Sequence, residues 1–291
     1  MIDRKHFSTR KIVNVTSWNA PTDPTAYLVV DYDVTKALPY IQKLNKMQSE
    51  QKITMTHLVS KGLAIASAKM RRDIGRIKWG YFQRAEKIGL TILVDVEGGK
   101  DLVPVTLWEA QSDSIIDIAK NTNDLVQRTK KSQNKEHSDV VKTFDILPSY
   151  FCGFLTTVCS YLAQNAGISV KPLNLRANAF GHVVLTNIGS LGLEQGFAPI
   201  PSPIHCSICA CLGKVMKKPV VVDGDKIEIR EMMTCVYTFD HRQGDAAILI
   251  QFLNIMKALL EDPENFNPEK YPELPSYEEL AKRRAAAKKA Q

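Results

Sequence analysis

The residues best suited to chemistry lie in one short segment, in which His241 is followed four positions later by Asp245. A strand-like run over 234–239 precedes them, and a helical pattern begins at about Asp245. A histidine titrates near about pH 6.5, so it can accept and return a proton at neutral pH. His241 is therefore a candidate general base, with Asp245 close enough to organise its surroundings. A purely structural histidine is the alternative.

The elements around this segment alternate between strand-like and helical patterns, which is typical of an α/β domain. Strand patterns cover 26–33, 77–82, 88–94, 102–107, 182–185, 207–212, 219–222, 227–230 and 234–239. Helical patterns cover 35–46, 54 to about 70, 114–130 and about 245–261, where Asp262-Pro263 stops the last helix. Asp223-Gly224 predicts a hairpin turn. We find no repeat and no linker, so these elements form one domain.

The 25 residues from Ile146 to Val170 contain no charged residue. An uncharged run of this length is long enough for a membrane span to be considered. Pro148 and Gly167 favour a helix between them, with Phe151, Phe154, Leu155, Val158 and Leu162 on one side. Polar residues interrupt the other side. We expect a helix that is half-buried in the protein or at a subunit contact, not a span.

The charge and the cysteines set limits on partners and location. Five of the charges behind the net +7 lie in the last ten residues, so the body is nearly neutral and nucleic-acid binding is not expected. The basic tail is a solvated end or a docking segment. The six cysteines lie inside apolar runs, and the N-terminal residues lack a secretory signal pattern, so we expect a reducing, cytoplasmic location.

A cluster of His205, Cys206, Cys209 and Cys211 has a spacing that invites a metal site. The cluster falls on a predicted buried strand, where alternation sends Cys206 and Ile208 to one face and the other two cysteines to the opposite face. No metal site is therefore expected.

Several motifs together resemble the catalytic domain of the dihydrolipoamide acyltransferases of 2-oxoacid dehydrogenase complexes. The segment from Lys218 to Ala247 has the family's Pro-Val-Val hairpin, Arg-x-Met-Met strand and Asp-His-Arg turn. The run LTNIGSLG over 185–192 is similar to its Ser/Thr-Asn-Leu-Gly motif, and 89–95, 102–105 and 260–263 match further segments. The resemblance covers roughly 5–267. We therefore expect a catalytic domain over 1–267 and an exposed basic tail over 268–291.

The resemblance implies a chloramphenicol acetyltransferase-like α/β fold, a two-layer mixed sheet with packed helices, assembled as trimers with active sites between subunits. His241 would be the catalytic base, opposite Thr186 of a neighbouring chain, whose hydroxyl would stabilise an oxyanion. Asp245 would be an orienting or structural carboxylate paired to an arginine, with Arg4 and Arg10 as candidates. The alternative for Thr186 is a strand-end hydroxyl without a catalytic role.

The implied reaction is direct acyl transfer, in a ternary complex, between coenzyme A and a thiol of the dihydrolipoamide type. Coenzyme A would be a substrate, and a lipoyl group would arrive in trans on a carrier protein. The implied assembly is a homotrimer that could build a larger cage. Two alternatives stay open, an antibiotic-type O-acetyltransferase and a catalytically lapsed scaffold trimer.

Two departures from the family pattern bear on these expectations. Ala246 stands where the family has a glycine, which puts the geometry of Asp245 in question. The chain is also longer than the family core between about 132 and 181, and this insertion is expected to shape the acyl or acceptor pocket.

Overall fold

A computed structural model describes residues 23–48, 50–95, 102–129, 149–169, 180–200, 205–222 and 224–267. Its centre is a six-stranded mixed sheet, and a two-stranded hairpin lies apart from it. The eight strands are β1 (Thr25–Asp33), β2 (Gly75–Lys78), β3 (Tyr81–Arg84), β4 (Gly89–Asp95), β5 (Leu102–Trp108), β6 (Val183–Asn187), β7 (Ile208–Val222) and β8 (Lys226–Asp240). Their β-branched and aromatic residues favour extended backbone.

The large sheet has the order β1-β8-β7-β6-β4-β5. The β7–β6 and β6–β4 neighbours are parallel, and the other neighbours are antiparallel. The β2–β3 pair forms the separate hairpin. The sheet is mixed, as expected.

Helices cover one face of this sheet. They are α1 (Ala37–Met47), α2 (Met55–Lys69), α3 (115–129) and α5 (Ala246–Glu261), whereas α4 (Ser149–Tyr161) lies beside the β2–β3 hairpin. Helix α2 contacts α5, β4 and β6, while α5 also contacts β1. The fully buried side chains between helices and sheet include Tyr32, Tyr237 and Phe252. This layer stabilises the packing of the helices on the sheet, because burial of a Leu, Ile or Phe side chain contributes roughly 1.5–3 kcal/mol.

The opposite face of the sheet carries a smaller cluster of Val184, Cys206 and Cys209, against which Ala198 and Ile200 pack. The prediction that Cys206 shares a face with Ile208 is wrong, since Ile208 belongs to the main core. The strand begins only at Ile208, so the two-residue alternation does not extend back to Cys206.

The single strand predicted over 77–82 is also wrong, because the chain reverses there between β2 and β3. Trp79 and Gly80 have φ angles of 54° and 81°, the pair of positive values typical of a tight hairpin turn. The strands predicted over 207–212 and 219–222 merge into β7, and those over 227–230 and 234–239 merge into β8. Gly224 and Asp225 turn the chain between them with positive φ.

Helix α4 occupies most of the charge-free run and continues as a π-helical turn to Ala166, before Gly167 ends it at φ 67°. Phe151, Phe154 and Val158 are exposed on α4, so the described part of the chain leaves these three apolar side chains uncovered. Within the described ranges, no helix has the length and apolarity to cross a membrane.

Candidate functional site

His241 lies in the turn between the end of β8 at Asp240 and the start of α5 at Ala246. Its backbone N–H donates to the carbonyl of Pro24 at 2.9 Å, which ties the turn to the residue preceding β1. The imidazole lies 5.5 Å from the Phe239 ring, centroid to centroid, with a 33° tilt. The side chain is exposed, so a substrate can reach the ring from outside the chain.

An ion pair between Asp240 and Arg242 fixes the backbone on both sides of His241. Arg242 donates from Nε at 2.9 Å and from a terminal nitrogen at 2.6 Å, and its backbone N–H adds a bond of 3.0 Å. Burial acts to raise the pKa of the Asp240 carboxyl, but the Arg242 hydrogen bonds and charge outweigh it and hold the pKa below the ordinary value. Asp240 is therefore a fixed anion at neutral pH.

Asp245 is the N-cap of α5. Its Oδ1 accepts the backbone N–H groups of Ala247 at 3.0 Å and Ile248 at 3.2 Å. In the described part of the chain no ion pair of Asp245 is present, and the expected partners Arg4 and Arg10 lie outside that part. Ala246 is the first residue of the helix, a position that an alanine occupies without strain. The glycine departure therefore leaves this cap intact.

Thr186 lies next to the end of β6, paired with Cys211 of β7. Val183 and Leu185 belong to the main core and Val184 to the cluster on the opposite face, so alternation places Thr186 on the face away from the helices. The side chain is half-buried. Its hydroxyl has no hydrogen-bond partner among the described residues and is available to a group outside the chain.

Asn187, which the sequence analysis did not single out, holds the turn after Thr186. Its amide nitrogen donates to the Thr56 hydroxyl at 2.9 Å, and its Oδ1 accepts the backbone N–H of Ser190 at 3.3 Å. These bonds connect the end of β6 to α2. The sequence did contain a signal for this role, because Asn187 directly follows Thr186 in the motif similar to Ser/Thr-Asn-Leu-Gly.

The strand register places Thr186 far from His241 within one chain. Thr186 pairs with Cys211, and Cys211 pairs with Val236, which precedes His241 by five residues. Five residues of strand span about 16 Å and two strand spacings about 10 Å, so the two Cα atoms are about 19 Å apart. A single chain therefore does not bring the predicted base and the predicted oxyanion donor together.

A cleft of about 690 Å³ lies beside the His241 turn, between the β2–β3 hairpin and α4. Trp79 and Tyr161 form an aromatic wall, with ring centroids 5.4 Å apart. Asp240 and Arg242 also line the cleft, whereas His241 and Thr186 are not part of the described lining. The cleft thus adjoins the candidate site without containing it.

The buried cysteines are poor nucleophiles and poor metal ligands. Burial raises the pKa of Cys209 to about 12 and that of Cys211 to about 11, so both thiols stay protonated at neutral pH. The residues that the structure describes contain no group of three or more His, Cys, Asp or Glu side chains placed to hold a metal ion.

Comparison with known proteins identifies similar chains. Residues 7–146 and 172–267 match the family model described as 2-oxoacid dehydrogenases acyltransferase (catalytic domain). The dihydrolipoyllysine-residue acetyltransferase component of the pyruvate dehydrogenase complex of Rickettsia prowazekii is 22% identical over 246 residues, which are 83% of this chain and 49% of that protein. The mitochondrial component 2 of Arabidopsis thaliana is 23% identical over 270 residues, 91% of this chain and 42% of that protein. The chain spans about half the length of such relatives or less.

Solved structures show the same fold. The probable dihydrolipoamide acetyltransferase of Listeria monocytogenes has a TM-score of 0.61 at 18% identity, covering 86% of this chain and 87% of that one. The dihydrolipoamide acetyltransferase of Azotobacter vinelandii, studied for the role of a serine, a histidine and an asparagine in its catalytic mechanism, has a TM-score of 0.60 at 14% identity, covering 84% of each chain. The predicted two-layer α/β fold with a mixed sheet is confirmed.

Proposed function

We propose, from the premise that the chain belongs to the 2-oxoacid dehydrogenase acyltransferase catalytic-domain family, that it transfers an acyl group between coenzyme A and a dihydrolipoamide-type thiol. The observation that carries the proposal is the family match over 172–267, which contains Thr186 and the turn with His241 and Asp245. Coenzyme A is a substrate in this proposal, the lipoyl group arrives in trans on a carrier protein, and no step is assigned to a metal ion.

His241 acts as the base in the proposed reaction. A thiol has a pKa of about 8.5 and is mostly protonated at neutral pH. The imidazole therefore accepts the thiol proton as the sulfur attacks the thioester carbonyl carbon. The carbonyl oxygen becomes an oxyanion that accepts a hydrogen bond from a Thr186 hydroxyl. Collapse of the tetrahedral intermediate breaks the original carbon–sulfur bond, and the departing thiolate takes the proton back from the imidazolium.

The Thr186 that serves each His241 belongs to a neighbouring chain. An oxyanion donor must lie within about 3 Å of the developing charge, and the separation of about 19 Å derived from the strand register exceeds that reach. A closed ring of three chains gives every His241 a Thr186 partner. Assembly of such trimers into a cage is proposed by analogy with the cubic core of the pyruvate dehydrogenase complex, a structural neighbour with a TM-score of 0.60.

A projecting ribbon supports contact between chains. Beyond the pairing with β6 and β1, the β7–β8 hairpin extends as two strands over 214–222 and 226–231. One face carries the apolar cross-strand pairs Pro219–Ile229 and Val221–Ile227. Val221, Ile227 and Ile229 are 66–74% exposed. Such a one-sided apolar face is typical of a surface that another chain covers.

Asp245 positions His241 by capping the helix that follows it. In the Azotobacter vinelandii enzyme the asparagine studied lies four residues after the histidine, the spacing of His241 and Asp245. Asparagine and aspartate are both strong N-caps, whereas a neutral asparagine cannot form the ion pair that the sequence analysis expected. Capping is the property that the two residues share.

The test is a panel of acyl-coenzyme A donors with dihydrolipoamide and a hydroxyl acceptor, read by mass spectrometry. His241→Ala should lose several orders of magnitude in turnover, and Thr186→Ala about 10²-fold with coenzyme A affinity nearly unchanged, because the hydroxyl acts in the transition state. Thr157→Ala, on the exposed side of α4, is the matched control. If a well-folded wild type transfers an acyl group to neither acceptor, the catalytically lapsed scaffold is the remaining alternative. Transfer to the hydroxyl acceptor alone would identify an antibiotic-type O-acetyltransferase.

A further inference from the structure

A second cleft of about 690 Å³ opens between the β2–β3 hairpin and the end of β5, on residues that the proposed reaction does not use. Its lining includes four basic residues, Arg76, Lys78, Arg84 and Lys87, and one acidic residue, Glu86. Low-dielectric walls with an excess of positive charge concentrate anions. The cleft is therefore suited to a negatively charged ligand.

Two of the polar side chains in its lining are more than nine-tenths buried, Arg76 at 4% exposure and His182 at 8%. Arg76 donates to the backbone carbonyl of Phe180. The Nδ1 of His182 accepts the N–H of Gly89 at 3.2 Å, which leaves the proton of the neutral ring on Nε2. Burial, with the charges of Arg76 and Lys78, lowers the pKa of His182 to about 4. The ring is thus a neutral donor, and its Nε2 has no partner among the described residues.

Trp108 supplies a rigid aromatic wall. Its indole lies over Gly89, where a Cβ atom would come within 2.8 Å of the ring, so the glycine permits the contact. The edge contact with the His182 ring, at 6.2 Å between centroids and 81°, holds the indole from a second direction. The indole is nevertheless 49% exposed. A fixed and partly exposed indole is a stacking platform for a flat heterocycle.

We propose that this cleft binds a phosphorylated nucleotide, with the phosphates against Arg84 and Lys87 and the base on Trp108. The volume is in the range of small-molecule sites, about 300–1,000 Å³. Basic side chains near a fixed aromatic ring match the two parts of a nucleotide, whereas an inorganic anion would use only the charges.

The cleft and the His241 turn lie at the same end of the sheet. The Ser207 N–H donates to the His182 carbonyl at 2.7 Å, and the Asp240 N–H donates to the Ser207 carbonyl at 3.4 Å. Two strand spacings, about 10 Å, therefore separate His182 from Asp240. Two sources share this chemistry. One is the adenosine diphosphate end of coenzyme A, and this source rests on the proposed function. The other is a free nucleotide, and this source is independent of the proposed function.

The experiment titrates the full chain with ADP, coenzyme A and inorganic phosphate, read by calorimetry and tryptophan fluorescence. The double variant Arg84→Gln with Lys87→Gln removes two exposed charges and should weaken ADP binding by about tenfold or more. The matched control, Lys43→Gln with Lys120→Gln, removes two exposed charges from α1 and α3 and should bind like wild type. Trp108→Phe should remove the fluorescence change that ADP causes in the wild type.

Competition distinguishes the two sources. If ADP displaces coenzyme A, and the double variant raises KM for the acyl donor with kcat unchanged, the nucleotide is part of coenzyme A. If ADP binds without displacing coenzyme A, the ligand is a separate nucleotide. Equal ADP affinity in wild type and double variant, or phosphate bound as tightly as ADP, overturns the proposal. If the wild type transfers acyl groups but gives either of these two binding results, only the nucleotide site in the cleft is refuted. If ADP binds but no acyl transfer occurs, only the proposed function is refuted.

Discussion

Replacing Asp245 distinguishes a helix cap from an ion-pair partner. Asp245→Ala removes the acceptor for two backbone N–H groups at the start of α5, while Asp245→Asn keeps an oxygen in the same place and removes the charge. A capping role requires the asparagine variant to behave nearly like wild type. An ion-pair role requires both variants to be equally damaged.

The magnitude follows from the two hydrogen bonds of 3.0 and 3.2 Å. Loss of an N-cap side chain to alanine costs about 1 kcal/mol, within a range of roughly 0.5–2 kcal/mol. Loss of a negative charge at the positive end of the helix adds about 0.3–1 kcal/mol at low ionic strength. We expect Asp245→Ala to lower the free energy of unfolding by about 1–2 kcal/mol, and Asp245→Asn by a few tenths.

The assay is chemical denaturation at one fixed protein concentration, since association between chains raises the apparent stability. Turnover is measured on the same samples, and Asp245→Ala should lose more of it than Asp245→Asn because the frayed helix start no longer fixes the turn with His241. If Asp245→Asn loses as much stability as Asp245→Ala, the cap does not hold the turn and a charged partner must be sought.

Two further predictions concern pH and assembly. Burial lowers the pKa of His57 from 6.5 to about 4, so the unfolded chain takes up the proton first and the free energy of unfolding falls as pH drops from about 6.5 towards 4. His57→Gln can still accept the Thr54 N–H and should reduce this fall in the free energy of unfolding by up to a few kcal/mol. If chemical denaturation at several pH values shows the same fall in the variant as in the wild type, His57 is not its cause. If the ribbon makes the contact between chains in the proposed trimer, Ile229→Lys on its apolar face should shift the assembly towards monomers in light scattering, whereas Glu228→Lys on the other face should not. Equal effects of the two would exclude the apolar face as the contact.

Elements with local signals could be predicted from the sequence. Thr54 indicates a helix start, and α2 begins directly after it. Asp262-Pro263 indicates a helix stop, and α5 ends directly before it. The turn within 77–82 was missed because a tryptophan, not a glycine, takes the first positive φ. The face of Cys206 was misassigned because alternation indicates a face only where a strand is already formed.

The candidate site divides in the same way. The turn with His241 and Asp245 was predictable, since it follows from a strand–helix boundary. The Asp240–Arg242 ion pair on either side of His241 was missed, although the two opposite charges stand two residues apart. The separation between Thr186 and His241 depends on the register across three strands, which no local pattern contains.

The proposal that the active site is shared between chains is tested most directly by mixing two inactive variants. His241→Ala and Thr186→Ala chains are unfolded together, refolded in equal amounts, and assayed beside each variant refolded alone. If each site takes His241 from one chain and Thr186 from the next, as proposed, about one quarter of the sites in randomly assembled trimers should regain both residues. We predict about 25% of wild-type turnover, far above either parent. Turnover no higher than the mean of the two parents, in a sample shown by mass to contain mixed trimers, would contradict the account.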